Sequence, residues 1–143
     1  MENKQADSLL KCDSSTLSRA IASVLIEKKA QDVRMYNVEE ENSITDYYVN
    51  ATGRSSTNVA SLADEVIYKI GLLGRDALRV EGRSGKAWIL VDYGEVIVNI
   101  FDKESRDFYN FDRLLPESSE IDISDIVEEI DKKYEINNIA KED

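Results

Sequence analysis

The residue types that usually carry out protein chemistry are scarce in this chain. Its 143 residues contain no histidine and a single cysteine, Cys12. Without histidine, Ser–His and Cys–His nucleophile pairs and histidine-based zinc sites are excluded. A lone cysteine cannot form an internal disulfide, which favours a reducing compartment. Any reaction would therefore depend on carboxylates, lysine, tyrosine or a carboxylate-bound metal.

Asp46 and Asp92 are the candidates for a carboxylate-bound metal, because they lie on or at the ends of different predicted strands. Magnesium-dependent phosphoryl transfer usually uses two or three converging carboxylates. The predicted strands of the body carry no Asp-x-Asp pair that would supply them. Asp92 also begins a predicted tight turn, where aspartate is favoured for structural reasons. We therefore predict no catalytic residue, no metal site and no cofactor.

Two short segments resemble phosphate-binding loops. Gly82–Lys86 contains Gly-Lys, but Ala87 follows where a Walker loop needs Ser or Thr, and the segment joins two predicted strands. We interpret it as a plain turn. Thr52–Ser56 instead lies between a strand and a helix N-terminus, where backbone N–H groups can bind an anion. Its serines are also typical helix caps, so anion binding and capping both fit this loop.

The only tryptophan, Trp88, is the strongest candidate for a binding residue. Alternate residues of a strand face opposite ways, so Trp88 and Asp92 share one side of the predicted strand, and a side that carries an aspartate is expected to be partly exposed. An exposed tryptophan on a rigid strand is a frequent binding hot spot. The alternative is a tryptophan packed beneath a helix or the tail. We assign Asn99 and Phe101, which share one side of the following strand, to the same surface as Trp88. The predicted partner-binding residues are Trp88, Asp92, Asn99, Phe101 and Tyr109.

Hydrophobic spacing predicts the elements that position these residues. We expect a helix over 14–30, strands over 32–38 and 45–51, a helix ending near 73, strands over 77–81, 87–92 and 95–101, and a short helix or turn over 102–115. The last two strands should form a hairpin. This order predicts an α/β fold in which helices flank a mixed sheet of about five strands, with the two main helices on one face or one on each.

The charge of the chain is negative and uneven. The formal net charge is −11, and residues 117–143 carry ten acidic and three basic side chains, a net −7. Direct nucleic-acid binding needs clustered Lys and Arg, so a basic protein partner is favoured instead. Ile123, Ile126, Val127 and Ile130 keep helical spacing within this extension. The helix could dock on the body or remain solvated and steer a basic partner, and its thin apolar face favours steering.

The length of the chain fits one domain. We divide it into a flexible N-terminus over 1–13, a folded domain over 14–116, and an acidic, partly helical extension over 117–143. No apolar run approaches the roughly 18 residues of a membrane helix. The first residues also lack the basic and apolar regions of a secretory signal. These features predict a cytoplasmic protein that does not bind membranes.

Several blocks of sequence, in the same order and spacing, resemble the ribosomal silencing factor family (RsfS), also called the Iojap-like proteins. The first block is Ser43–Val49 followed by Thr52–Ser56. The second and more specific block consists of Val80–Gly82, Trp88–Phe101 and Arg106–Leu114. The resemblance covers about residues 14–115, which is most of the chain outside the acidic extension.

The resemblance implies a fold related to nucleotidyltransferases but without their catalytic residues. It also implies a partner, the large-subunit ribosomal protein fourteen, which is a basic protein at the subunit interface. Family members bound there stop the small subunit from joining and lower translation when nutrients are short, whereas organelle relatives act in ribosome assembly. We therefore expect a non-enzymatic silencing factor that is a monomer or weak homodimer. A large-subunit assembly factor with the same docking site is the alternative, and a residual nucleotidyltransferase is disfavoured.

Overall fold

The computed structural model describes residues 9–41 and 44–142, and within the last helix it describes side chains as far as Glu135. Residues 1–8 of the expected flexible N-terminus lie outside the described residues, as does Ser43 of the first sequence block. The main elements are α1 (Ser14–Glu27), β1 (Gln31–Asn37), β2 (Tyr47–Gly53), α2 (Ser56–Leu72), β3 (Arg79–Glu81), β4 (Trp88–Asp92), β5 (Val96–Asp102), α3 (Lys103–Tyr109), β6 (Glu120–Ile121) and α4 (Ser124–Glu142).

The six strands of the described residues form one mixed sheet in the order β3-β4-β5-β2-β1-β6. β2 and β5 are parallel, and the other neighbouring pairs are antiparallel. The predicted α/β fold and the β4–β5 hairpin are confirmed. The sheet has one strand more than the predicted five, because Glu120 and Ile121 pair with Tyr36 and Met35 of β1. A two-residue strand is too short to show the alternation on which sequence patterns depend.

α1 and α2 both cover the same face of the sheet, which decides between the two arrangements considered from sequence. Their apolar stripes pack on alternate residues of the central strands, including the fully buried Val49, Val98 and Ile100. α1 is capped by Asp13, whose carboxylate accepts the N–H of Thr16, and it starts where the sequence predicts. This packing leaves the opposite face of the sheet free of the two main helices.

The loop from β2 to α2 acts as a helix cap. Ser55 Oγ accepts the N–H of Asn58 at 3.1 Å, which satisfies one of the free donors of the first turn. Gly53 is required just before it, because a Cβ there would lie 2.8 Å from Cγ2 of Val59. Gly82–Lys86 joins β3 to β4 with Lys86 N–H on the Gly82 carbonyl at 3.0 Å, so it is the plain turn that we predicted.

The acidic extension packs against the body. Ile126 and Ile130 of α4 are buried against α1, and ion pairs join Arg19 to Asp125 and Glu27 to Lys133. The sequence favours steering by a solvated tail, but the structure has the docked arrangement, since β6 anchors the extension before the helix begins. No helix among the described residues is long and apolar enough to cross a membrane.

The start of the described chain also packs on the body. Leu9 is buried, and its N–H donates to the carbonyl oxygen of Leu73 at 3.3 Å. The segment expected to be flexible over 1–13 is therefore held at residue 9, because an apolar side chain there fills the end of the helix layer. The domain boundaries at 13/14 and 116/117 stay predictions.

Candidate protein-docking surface

The predicted partner-binding residues of β4 and β5 lie on the face of the sheet opposite α1 and α2. Trp88 pairs with Phe101 and Leu90 pairs with Asn99 across β4 and β5. Asn99 also lies beside Asn50 of β2. Side chains paired across neighbouring strands point to the same face. The prediction that Asn99 and Phe101 share the Trp88 side is therefore confirmed.

α3 and the 3-10 turn Phe111–Leu114 lie over the ends of β2 and β5 and bring aromatic rings to this face. Asn110 connects them in the left-handed conformation, with φ 53° and ψ 43°, and its N–H donates to the carbonyl oxygen of Arg106. Asparagine tolerates this conformation better than most residues. The reversal at Asn110 returns Phe111 to the sheet, where its ring centroid lies 5.1 Å from that of Tyr48.

The rings of Trp88, Phe108, Tyr109 and Phe111 form one connected group, which we call the aromatic surface. The Trp88 ring centroid lies 5.0 Å from that of Tyr109 and 6.2 Å from that of Phe111, and Phe108 meets Tyr109 edge to face at 5.0 Å. Phe108 is 78% exposed and Tyr109 53% exposed. Leu114, at the end of the 3-10 turn, is also exposed. Clustered exposed apolar side chains indicate a protein-interaction site.

The predicted partner-binding residues differ in how far they reach the surface. Tyr109 is exposed and Trp88 is half-buried, whereas Asn99 and Phe101 are fully enclosed. The Asp92 carboxylate accepts the N–H of Gly94 and a hydrogen bond from Arg79 Nε, so it holds the hairpin together. Asn99 and Phe101 are therefore placed to support the surface from beneath, because Asn99 accepts the Trp88 indole N–H and Phe101 packs against its ring. Asp92 lies at the other end of β4 and serves the hairpin.

Two exposed apolar residues were not singled out from sequence spacing, namely Phe108 and Leu114. The close spacing of aromatic residues in this segment could have indicated an exposed ring. Phe108, Tyr109 and Phe111 follow one another too closely for all of them to face the body from one short helix. At least one ring must then be exposed, and the structure exposes Phe108 most.

A chain of side-chain hydrogen bonds crosses the sheet beneath the aromatic surface. Trp88 Nε1 donates to Asn99 Oδ1 at 2.9 Å, and Asn99 Nδ2 donates to Asn50 Oδ1 at 3.1 Å. Asn50 Nδ2 in turn donates to Asp112 Oδ1 at 3.2 Å. The hydroxyl of Tyr36 donates to Asp112 Oδ2 at 2.9 Å. Burial and this carboxylate raise the pKa of Tyr36 above its ordinary value.

Arg106 completes the polar network from the other side of Asp112. Its Nη2 donates to Asp112 Oδ2 at 2.7 Å, and its Nη1 donates to Thr52 Oγ1 at 2.9 Å and to the Asp32 carbonyl oxygen at 2.7 Å. Asp32 lies at an irregularity of β1 and has φ 48°, which turns its carbonyl toward the arginine. The guanidinium is largely buried but paired, as buried charges require.

A cavity opens on this face beside the buried polar network. The open cavity beside Arg106, about 300 Å³, is lined by charges of both signs, including Arg34, Asp32 and Arg113. Within residues 9–41 and 44–142, no group of three or more His, Cys, Asp or Glu side chains could hold a metal ion. The structure thus offers a rigid apolar surface on a buried polar network.

Comparison with known proteins places the chain in a family. The family model described as "Ribosomal silencing factor during starvation" matches residues 11–143. The chain belongs to the ribosomal silencing factor family. The family match includes the acidic extension, which the resemblance seen in the sequence blocks does not.

Curated relatives carry the family name. The chain is 30% identical over 102 residues to "Ribosomal silencing factor RsfS" of Zymomonas mobilis, with 71% of this chain and 77% of that protein covered. It is 34% identical over 86 residues to the factor of the same name in Haemophilus influenzae, with 60% and 84% covered. A mouse relative, "Mitochondrial assembly of ribosomal large subunit protein 1", is 26% identical over 97 residues, which cover 66% of this chain and 42% of that protein.

Solved structures of similar proteins have the same fold. A Chromobacterium violaceum protein matches with a TM-score of 0.70 and 28% identity, covering 73% of this chain and 87% of that one. A Bacillus halodurans protein matches with a TM-score of 0.64 and 29% identity, covering 78% and 100%.

Proposed function

We propose that this protein docks on the large ribosomal subunit through its protein fourteen and sterically prevents the small subunit from joining, which represses translation when nutrients are limiting. The observation that carries this proposal is the aromatic surface of Trp88, Phe108, Tyr109 and Phe111. Aromatic side chains held by a rigid scaffold are the usual anchors of protein–protein interfaces. The family name and the mouse relative's name both point to the ribosome, and the latter to its large subunit.

Electrostatics support a protein partner over bare RNA. The chain carries a net charge of −11, so it repels a phosphate backbone and attracts a basic protein surface. The attraction would mainly raise the association rate, and the aromatic contacts would determine how long the complex lasts. Both features fit a basic ribosomal protein met in the cytoplasm.

The proposed mechanism is steric and requires no enzymatic step. A docked protein occupies the space that the small subunit needs, so one protein silences one large subunit. Silencing should therefore reach its maximum near equal amounts of protein and subunit. Strong silencing by a hundredfold smaller amount of protein than of large subunits would instead indicate turnover. That result would support a residual nucleotidyltransferase.

Alanine variants of the aromatic surface test the docking proposal. Tyr109→Ala and Phe108→Ala should each weaken binding to isolated large subunits by roughly 30-fold, the hot-spot scale of about 2 kcal/mol. Tyr68→Ala is the matched control, since Tyr68 is 61% exposed on α2, away from the aromatic surface. Binding is measured by co-sedimentation. Equal effects of all the variants would contradict a docking role for this surface.

Large-subunit assembly is the second candidate, and it is favoured by the name of the mouse mitochondrial relative. The same docking on immature large subunits would serve assembly. The two functions differ in depletion experiments. Loss of an assembly factor should accumulate incomplete large subunits during growth, whereas loss of a silencing factor should leave subunits complete and joined ribosomes abundant during starvation.

A further inference from the structure

We propose that Asp112 is a positioning residue for the aromatic surface. Through Asn50 and Asn99 its carboxylate sets the orientation of the Trp88 indole, and through Arg106 it fixes the turn that carries Phe111. The proposal rests on the proposed function only in taking the aromatic surface as the docking site. The hydrogen bonds that carry the positioning role lie within this chain and do not depend on a partner.

The hydrogen bonds that connect Trp88 to Asp112 through Asn99 and Asn50 all have the same donor-to-acceptor direction. Each asparagine accepts with Oδ1 from the side of the indole and donates with Nδ2 toward the carboxylate. An ionised carboxylate can only accept, so Asp112 forces Asn50 to present its amide nitrogen. Asn50 must then present its oxygen to Asn99, and Asn99 its oxygen to the indole N–H. Hydrogen bonds in such a chain also polarise and strengthen one another.

Burial prevents water from substituting in this chain. Asn50 is fully buried and Asn99 is 1% exposed, so neither amide can satisfy a reversed orientation with solvent. Reversing one amide would place donor against donor and leave buried groups unpaired, which is costly. The orientation set at Asp112 is therefore transmitted across β2 and β5 to the indole on β4.

The second arm of Asp112 holds the backbone of the aromatic surface. Asp112 Oδ2 accepts from both Arg106 and Tyr36, which ties the 3-10 turn to α3 and β1. Phe111 is the preceding residue, so the same carboxylate fixes where its ring meets Tyr48. The Asp112 side chain thus fixes both the orientation of the indole and the position of the turn.

The substitution Asp112→Asn tests this role, because it keeps the shape and replaces one acceptor oxygen by a donor. Trp88 is the only tryptophan, so its indole N–H gives a single cross-peak in a ¹⁵N correlation spectrum. We expect this peak to shift and its hydrogen exchange to accelerate at least about tenfold as the chain loosens. We also expect about tenfold weaker binding to large subunits.

Asp64→Asn is the matched control, since Asp64 also pairs with an arginine, Arg83, at 2.9 Å, but on the exposed side of α2. It should change neither the indole peak nor the affinity. If Asp112→Asn does not fold, Asn50→Ala carries the test, because it interrupts the chain and leaves the Arg106–Asp112 pair in place. An indole peak and exchange rate unchanged in the folded variant would overturn the positioning role.

The two readouts separate this inference from the proposed function. If the indole responds as expected but the parent protein does not bind large subunits, the docking proposal fails and the positioning role stands. If the parent protein binds large subunits but the indole peak does not change in Asp112→Asn, the positioning role fails and the docking proposal stands. An affinity loss with an unchanged indole would likewise contradict the proposed path through Asn50 and Asn99.

Discussion

Phe101 and Phe108 lie on adjacent elements but should have opposite roles. Phe101 is 0% exposed beneath the Trp88 ring, whereas Phe108 is 78% exposed. Phe101→Ala should lower the free energy of unfolding by about 3–5 kcal/mol, because it leaves a cavity. Phe108→Ala should change stability by less than about 0.5 kcal/mol. Urea denaturation of both variants measures the difference, and similar losses would contradict the assigned burial.

Two buried tyrosines should make the protein sensitive to alkali. Burial raises the pKa of Tyr93, and burial with the Asp112 hydrogen bond raises that of Tyr36, above the ordinary value of 10.0. Below pH 10 both phenols are neutral in folded and unfolded chains, so their contribution is fully present. Above pH 10 the unfolded chain loses these protons first, and stability falls as pH rises, by up to about 1.4 kcal/mol per pH unit for each group.

Phenylalanine substitutions measure this alkaline effect. Tyr93→Phe should flatten the fall in stability between pH 10 and 11.5, and Tyr68→Phe, on the exposed surface, should leave it as in the parent. Tyr93 Oη has no hydrogen-bond partner within the described part of the chain. Its removal should therefore cost little at pH 7. A fall that is equally steep in Tyr93→Phe would show that other groups cause it.

At the residue scale, period-two alternation was sufficient to place Trp88, Asn99 and Phe101 on one side of the sheet. It was not sufficient to say which of them is exposed. That depends on α3 and the turn after it, whose path is set by the left-handed Asn110 and by Arg106 contacts with distant β1 and β2. Contacts between residues far apart in sequence leave no local pattern.

At the scale of elements, α4 illustrates how a weak apolar face can still dock. The face is thin, but β6 pairs with the edge of β1 and brings α4 onto α1, so little further ordering is needed. An added strand also covers the hydrogen-bonding edge that β1 would otherwise present. The extension thus completes the sheet as well as the helix layer.

Ile126→Ala should lower the free energy of unfolding by about 2–4 kcal/mol, because the side chain is 3% exposed between α4 and α1. Val127→Ala is the matched control, since Val127 is the next residue and is 37% exposed, so its truncation should cost less than about 1 kcal/mol. Thermal and urea denaturation should show the same loss at low salt and near 0.5 M. A loss confined to low salt would instead favour an electrostatic role of the extension.

Strong hydrophobic periodicity allowed α1, α2 and the β4–β5 hairpin to be predicted from the sequence. The third strand was predicted over 77–81 but begins at Arg79, since a short edge strand has few paired residues to define its start. β6 was missed because it has no repeating pattern of its own. It is a strand only through its pairing with β1. Element type therefore followed from local spacing, whereas edges and docking followed from long-range contacts.

At the scale of the whole molecule, the two faces of the sheet are built differently. One face carries the core under α1 and α2, and the other carries the aromatic surface above a buried polar network. Substitutions in the aromatic surface can therefore alter that surface without removing the core. This separation allows the proposed docking to be tested by single substitutions.

Reassociation of ribosomal subunits tests the central claim most directly. Purified large and small subunits are mixed with increasing amounts of the protein and separated on a sucrose gradient. We predict that the protein sediments with the large subunit, and that joined ribosomes decrease in proportion to occupancy until about one protein is bound per subunit. Joined ribosomes that persist while large subunits are saturated with the protein, or sedimentation with the small subunit alone, would contradict the proposed function.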